Sequence, residues 1–486
     1  MKYAPTSLNS EKVQMGEAGS QRGHSTQSMG KLCTRGRARG EIALRKETLM
    51  DKTKSTCSTD TKLKRISEMS RQDSGCVFKW LMPHYNTESL SSCFYELDGR
   101  KALGIDGISK DDYGLNLQEN IDSLISKMKT MSYRPGSVRE VQIPKEGAPG
   151  AFRTLGISNF EDKIVQSMTA KILGAIYEPV FKDCSFGFRP QRSCHSAIKS
   201  LSAYLHRNEC EVVIDVDLKN FFGTIDHEIL LGFLRMRIGD ETFLRYISRM
   251  LKTGIFKEGS FQLTEEGSPQ GNVASPILSN IYAHYVLDEW FEDIVKRHVL
   301  GPIAMFRYCD DIVICCRYQR DGERILKALK GRLAKYSLEL NAEKTRLVRY
   351  SRKGFERGEK QGTFDFLGFT FYLGRTLRGN VSTRLKTSRK RFRSKIAKVN
   401  EWVRRNRSIP MSDLWKTFVS KLRGHLNYYG VSFNTQMVSK FFLLSKRLFF
   451  KWMNRRSQKK SFNWVKFSKF VKLRPLPAIK VRFALY

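Results

Sequence analysis

The stretch "FRYCDDIVICC", Phe306 to Cys316, places two adjacent carboxylates, Asp310 and Asp311, between two short apolar runs. With Met305 before it and Arg317 after it, the segment reads as strand, tight turn, strand. Aspartate is common in turns, where its side chain bonds the local backbone, and taken alone that explanation suffices. The flanks weaken it. Met305–Phe306 and Ile312–Val313–Ile314 predict a hairpin that lies in a core. Two ionised carboxylates in such a place repel each other and lack water unless a cation neutralises them. Mg²⁺ suits the position, because it takes hard oxygen ligands and keeps waters and substrate phosphates.

Such a site needs a further carboxylate, and "CEVVIDVDLKNFF", Cys210 to Phe222, offers two on an alternating, β-branched run that reads as a strand. Period-two alternation puts Asp215 and Asp217 on one face, so spacing does not choose between them. Three converging carboxylates could hold two Mg²⁺ ions. One would activate an attacking 3′-hydroxyl and the other would stabilise a leaving pyrophosphate. The chemistry inferred is nucleotidyl transfer.

The composition agrees. The 486 residues carry 86 Lys plus Arg against 48 Asp plus Glu, a formal charge of +38, which implies a polyanionic partner, nucleic acid foremost. No apolar run approaches the ~20 residues of a spanning helix, so no membrane partner is expected. The start, "MKYAPTSLNSEKVQMGEAGS", lacks the apolar segment of a signal peptide. The ten cysteines are scattered with no CxxC pair, which supports neither zinc nor a disulfide framework and fits a cytoplasmic protein with reduced thiols.

Residues 1–75 are rich in polar residues without a sustained apolar period, and a largely disordered tail is expected there. Apolar patterning begins near "CVFKWLM" and continues at helical spacing through Leu117, Ile121, Leu124, Ile125 and Met128. Gly322 to Leu340 reads as another helix, with Ile325, Leu326, Leu329 and Leu333 on one face. Strands followed by packed helices, in no regular βαβ repeat, predict an α+β domain. From Arg384 onward about 28 Lys or Arg stand against two acidic residues, with aromatics interleaved, as in a helical nucleic-acid-binding domain.

At this point the chain resembles the group II intron-encoded reverse transcriptase/maturase family, in order, over roughly residues 100–486. "KALGIDGIS" resembles the first block and "VQIPKEGAPGAFRTLGIS" the fingers block. "CSFGFRPQRSCHSAI" resembles "YGFRPGRSxHxA", and "VIDVDLKNFFGTIDH" the first palm aspartate block. "EGSPQGNVASPILSNIYAHYVLDEW" resembles "TPQGGxxSPLLxNIxLxxLD", and "FRYCDDIVI" the "YADD" hairpin. "LELNAEKTRLV" and "FDFLGFTF" close the palm, "KLRGHLNYYG" resembles the maturase "LRGxxNYY", and the ending resembles the short tail of some bacterial members.

The resemblance implies an α+β right-hand polymerase. Fingers and palm, with an antiparallel sheet, would span 76–375, a helical thumb/maturase domain 376–450, and a basic nucleic-acid-binding tail 451–486. The family pattern selects Asp217 as the first metal-ligand aspartate and sets it with Leu218, Asp310 and Asp311 at the metal site. It implies two Mg²⁺ ions, with Mn²⁺ as a substitute. Nucleotide-binding positions would be Lys145 and Arg153 on the triphosphate, Leu218, Phe222 as the aromatic gate against a 2′-hydroxyl, Gln270 in the pocket, and Lys344 near the pyrophosphate. Gly271 would permit close backbone approach. Arg189 and Arg192 match positions near the template backbone, with capping or salt bridging as the rival role. Arg389, Lys390, Arg391, Arg393 and Arg423 are expected on nucleic acid.

The partners implied are structured intron RNA or another RNA template, DNA primer or target, and dNTPs, with a homodimer among the assemblies allowed. The setting would be the bacterial cytoplasm or nucleoid, as a ribonucleoprotein. Two positions depart from the pattern. Gly223 stands where the family has Asp, and Cys309 where it has Ala. No counterpart of the His/Cys-rich nuclease domain is found, so cutting of the second DNA strand is not expected. The rival readings are a free-standing relative turned to defence or repair, and a non-catalytic splicing factor. Intact Asp217, Asp310 and Asp311 argue against the latter.

Overall fold

The computed structural model of the protein describes residues 59–144, 150, 152–257, 260–262, 271–456 and 463–485. The described chain opens on helices: α1 (59–72), α2 (Thr87–Glu96), α3 (Lys110–Leu115) and α4 (Leu117–Lys129). Along α4, Ile121, Leu124, Ile125 and Met128 are buried, the apolar stripe that their spacing predicts. α1 corrects the expected disorder from residue 59 onward. Its Ile66 is buried, and Ser70 Oγ donates to the Ile176 carbonyl at 2.5 Å. Only Leu63 and Ile66 of α1 join the core, too few to mark a period. Residues 1–58 lie outside the described residues.

The fingers strands β1 (Val138–Pro144) and β2 (Phe152–Ile157) pair antiparallel, and α5 (Phe160–Tyr177) and α6 (Cys194–Arg207) follow. A reciprocal box between Ser193 and Ser196 caps α6. Next come β3 (Val212–Asp217), α7 (His227–Arg235), α8 (Glu241–Leu251), β4 (Ile255–Lys257) and β5 (Ser260–Gln262). β1 pairs β4 in parallel, completing a sheet of order β2-β1-β4-β5. α9 (Ser275–Ala283) continues into π-helical segments, His284–Asp288 and Trp290–Ile294.

β6 (Ile303–Tyr308) and β7 (Asp311–Cys316) form the anticipated hairpin. With α10 (Gln319–Ala334) and β8 (Arg346–Arg349) they complete the palm. The palm sheet, order β6-β7-β3-β8, is antiparallel throughout. β3 is shorter than its apolar run suggested. Past Asp217, Leu218 makes one bridge to Leu340, and Asn220 adopts a left-handed conformation (φ 49°) that turns the chain into a 3-10 turn, Phe221–Gly223.

After α11 (Arg352–Glu356) come β9 (Phe364–Phe366), β10 (Phe369–Arg375) and β11 (Val381–Thr387), a separate antiparallel sheet. The expected boundary at 376 is corrected by this pairing, because it falls between β10 and β11. Ser388, whose hydroxyl caps α12 (Arg389–Asn406), is where the helical domain begins. α12, α13 (Met411–Tyr429), α14 (Thr435–Met453) and α15 (Trp464–Leu473) form the thumb. α12 turns Phe392, Ile396, Val399 and Val403 inward at spacings of four, three and four, and leaves its cations outward. The tail expected from 451 is integrated instead. Phe467 of α15 is in the thumb core, Leu485 is buried in the core beneath β9–β11, and Phe483 bridges Val431.

The "NYY" segment joins thumb to palm. Tyr429 packs against Phe369 of β10 at 5.2 Å between ring centres, and Tyr428 Oη donates to the Leu367 carbonyl at 2.8 Å. His195 Nε2, at the start of α6, meets the Tyr428 carbonyl at 2.8 Å, and its ring stacks on Phe483 at 3.8 Å.

Candidate active site

The strand register brings the three aspartates to one end of the palm sheet. Tyr308 pairs with Asp311, which leaves Cys309 and Asp310 as the two-residue turn, and Asp217 pairs with Asp311 across β3 and β7. Cys309 takes φ 58°, the left-handed conformation that a tight hairpin demands at its first turn residue. Asp217 and Asp310 are half-buried, and Asp311 faces the open cleft. Loss of hydration pushes the Asp310 carboxyl up, while Arg153 and Lys344 pull it down against Asp217. Crowding raises Asp311 further, to about 7, through loss of hydration first and then through Asp310 and Asp217. Part of the Asp311 surface remains open, so solvent screens this repulsion when water fills the cleft.

Lys344 Nζ lies 3.1 Å from Asp217 Oδ2 and supplies one positive charge to the cluster. Asp215 is engaged elsewhere, at 2.8 Å from Arg346. Among the described residues no three Asp, Glu, His or Cys side chains are already drawn into a closed ligand set. The carboxylates nevertheless fit a hard divalent cation: three of them share one sheet end, two have raised pKa values, and a lysine is the partner of the third. The Leu218 side chain is a hydrocarbon packed in the core and has no donor atom, so only its backbone carbonyl could approach a metal.

Of the nucleotide positions, Lys145 and Gln270 lie outside the described residues. Arg153 sits exposed on β2, paired in register with Ile143, and close enough to Asp310 to lower its pKa. Gly271 has φ 118°, and a Cβ there would stand 2.2 Å from the Gly156 carbonyl oxygen. No other residue fits, which ties the segment after Gln270 to the Arg153 strand. Phe221 is buried, whereas Phe222 is half-buried and packs edge-on to it at 5.5 Å. At Gly223 a Cβ would meet the Asn220 amide at 2.3 Å, so the Asn220 side chain fills the space where the family has Asp.

Cys309 is buried, its thiol is pushed up to about 12 first by burial, and it abuts Gly187, where an added Cβ would lie 2.4 Å from Sγ. It packs beneath the tip and offers no reactive thiolate. Arg189 belongs to the rival role. It is 7% exposed, pairs with Glu178 at 2.9 Å and donates to the carbonyls of Lys182 and Ser185, so its guanidinium is not open to a template. Arg192 likewise holds Asp183 at 2.6 Å and the Ser185 carbonyl. By contrast Arg389, Lys390, Arg391, Arg393 and Arg423 are all exposed. Arg389, Lys390 and Arg393 line a groove of about 1440 Å³, and Arg391 shares a cavity of about 570 Å³ with Asp311. Sequence reasoning missed Arg307 and Asp288, which lie directly behind the hairpin. The available signal was an arginine near the end of an otherwise apolar strand.

Residues 143–371 match the family described as reverse transcriptase (RNA-dependent DNA polymerase), and residues 389–470 the group II intron, maturase-specific domain. The chain is 29% identical to the group II intron-encoded protein LtrA of Lactococcus lactis subsp. cremoris, across 78% of this chain and 75% of the relative. It is 30% identical to protein YkfC of Escherichia coli, across 51% of this chain and 73% of the relative. This chain belongs to the group II intron-encoded reverse transcriptase/maturase family. A further relative, an uncharacterized 91 kDa protein in the cob intron of Schizosaccharomyces pombe, is 37% identical across 43% of this chain. The polymerase match of the reverse transcriptase ends within β10 and the maturase match begins with α12, so β11 and Ser388 lie between the two. Polymerase and maturase parts in one chain favour the intron-encoded reading over a free-standing or non-catalytic relative. The enzyme is an RNA-directed DNA polymerase that binds RNA and DNA and depends on a divalent metal. No helix among its described residues is long and apolar enough to cross a membrane.

Proposed function

We propose that Asp217, Asp310 and Asp311 hold two Mg²⁺ ions, with Mn²⁺ as a substitute, and that this cluster extends a DNA primer along intron RNA. The bound ions would activate the primer 3′-hydroxyl and neutralise the charge of the leaving pyrophosphate. Every other part is played by side chains. Lys145 and Arg153 take the incoming triphosphate from the fingers, where their cations oppose the negative charge on its oxygens. Gln270 lines the nucleotide pocket. Phe222 lies under the sugar and rejects a 2′-hydroxyl by contact. Lys344 releases Asp217 when the site is loaded and turns toward the pyrophosphate, where it can donate a proton to the leaving oxygen.

The thumb supplies the maturase part. Arg389, Lys390, Arg391, Arg393 and Arg423 hold structured intron RNA by phosphate and shape, assisting splicing and then priming cDNA at a DNA target during mobility. The setting proposed is the bacterial cytoplasm, as a ribonucleoprotein, with a homodimer among its assemblies. The observation that carries the reading is the register that sets Asp217 opposite Asp311 beside the Cys309–Asp310 turn. Primer extension on an RNA template with Mg²⁺ tests it. Wild-type protein should make cDNA and the Asp310→Ala, Asp311→Ala double variant should make none; absence of cDNA from folded wild type refutes the assignment.

A further inference from the structure

Behind the catalytic turn lies an ion pair closed off from solvent. Arg307, next to last in β6, and Asp288, at the end of the first π-helical segment, are both 0% exposed. An arginine has five N–H donors, and here all five are spent. Nε reaches Asp288 Oδ1 at 2.7 Å, and Nη2 reaches Asp288 Oδ2 at 2.5 Å and Ser185 Oγ at 2.7 Å. Nη1 reaches Asn280 Oδ1 at 3.2 Å and the Cys309 carbonyl at 3.3 Å. Asn280 in turn donates to the Gly187 carbonyl at 2.6 Å, and Gly187 abuts Cys309.

We propose that Arg307 and Asp288 form a positioning clamp that fixes the peptide plane between Cys309 and Asp310, and through it the aim of the catalytic carboxylates. The proposal rests on the assignment of Asp310 and Asp311 as metal ligands. Stability alone does not account for the pair, since two buried ions hold a fold together no better than apolar side chains of similar volume. What apolar side chains cannot do is bond a chosen carbonyl. The carbonyl chosen belongs to Cys309, the left-handed residue next to Asp310. The helix that carries Asp288 is irregular at the point of contact. π-Helical turns are rare and concentrate where a side chain must be aimed, and here the widened turns set the direction in which Asp288 leaves α9 toward Arg307. The loop at Ser185 closes the arrangement: Arg307 N donates to the Cys184 carbonyl and Phe186 N to the Arg307 carbonyl, both at 2.8 Å.

The test replaces the clamp by an apolar pair, Arg307→Met with Asp288→Leu, which leaves no unpaired charge. The double variant should melt at or above the wild-type temperature and bind primer–template as wild type does. Hydrogen exchange at the amides of residues 309–312 should accelerate at least about tenfold, with the rest of the palm unchanged. Mn²⁺ binding to the protein–primer–template complex, followed by paramagnetic resonance, should weaken about tenfold, and kcat should fall about 10–100-fold with KM for dNTP little altered. Wild-type exchange at the hairpin overturns the clamp. If wild type itself binds no Mn²⁺, the metal assignment fails, and exchange at the hairpin still decides the clamp. Should the double variant not fold, Ser185→Ala deletes a single hydroxyl from the same guanidinium. It should accelerate hairpin exchange and weaken Mn²⁺ binding by about threefold, a smaller share of the same effect. No change in either again overturns the clamp.

Discussion

Two ion pairs of opposite kinds flank the tip of the palm sheet. Arg307 and Asp288 are fully enclosed, with every guanidinium donor engaged. Lys344 meets Asp217 with side chains 64% and 35% exposed. The enclosed pair has no water to exchange with, so it is a fixed part of the fold. The open pair is worth little, because solvent competes for both charges, and that weakness is useful. A carboxylate held by a mobile ammonium can be handed to another cation at small cost. A polymerase palm needs both kinds, one to hold the turn still and one to let the site reload.

The largest break in the comparison is expected from Arg307→Ala, which strands Asp288 as a buried unpaired charge. Urea denaturation should show a loss of roughly 3–5 kcal/mol, whereas Lys344→Ala should cost roughly 0.2–1 kcal/mol. Equal losses would mean that burial does not separate the two pairs. The outward charges of the thumb should behave as the open class does. Changing Arg389, Lys390, Arg391 and Arg393 to Ala should lower the slope of log affinity for RNA against log salt by about 3, if each contacts one phosphate. Thermal stability should barely move, since all four point away from the Phe392–Val403 stripe.

Phe222→Ala comes next. Its ribonucleotide incorporation should rise about 10–100-fold relative to deoxynucleotide, the range a hydrophobic contact can supply against one hydroxyl. Unchanged sugar selectivity would remove the gate. The smallest effect concerns Asp311 in metal-free protein. Its folded pKa, about 7, lies above the unfolded 3.8, so folding is favoured below pH 4 and that contribution disappears as pH rises through 7. Asp311→Asn should therefore raise the melting temperature by about 2 °C at pH 8 and leave it unchanged at pH 3.5. An equal rise at both values would show that the carboxylate is not strained by its neighbours.

Much of this was legible in the chain. The apolar runs Met305–Phe306 and Ile312–Val313–Ile314 foretold the hairpin, and the basic texture with interleaved aromatics past Arg384 foretold the helical thumb. Asp310 and Asp311 announced themselves because charge in an apolar strand demands a reason. What stayed hidden depends on distance in space. Nothing near Asp288 in sequence marks it as the partner of Arg307, and the π-helical turns that aim it leave no periodic trace. Residues 59–72 looked disordered because two inward side chains cannot make a period, and the boundary at 376 was misplaced because a hairpin turn and a domain linker share the same polar texture. Arg189 and Arg192 were ambiguous for a similar reason: an arginine that supports a loop and one that grips a phosphate are written alike.

The stack of Phe483 on His195 bears on the order in which the molecule is assembled at the ribosome. His195 lies in the first turn of α6, ahead of β3 and the thumb, whereas Phe483 follows α15, the last helix of the thumb. The fingers and palm can therefore collapse around their own core while the thumb is still being translated. The Phe483–His195 fastening between thumb and palm can close only after α15 has been made. Until that moment the nascent chain carries a formed palm sheet with a thumb not yet locked to it, and an RNA bound early would be met by the two halves in succession.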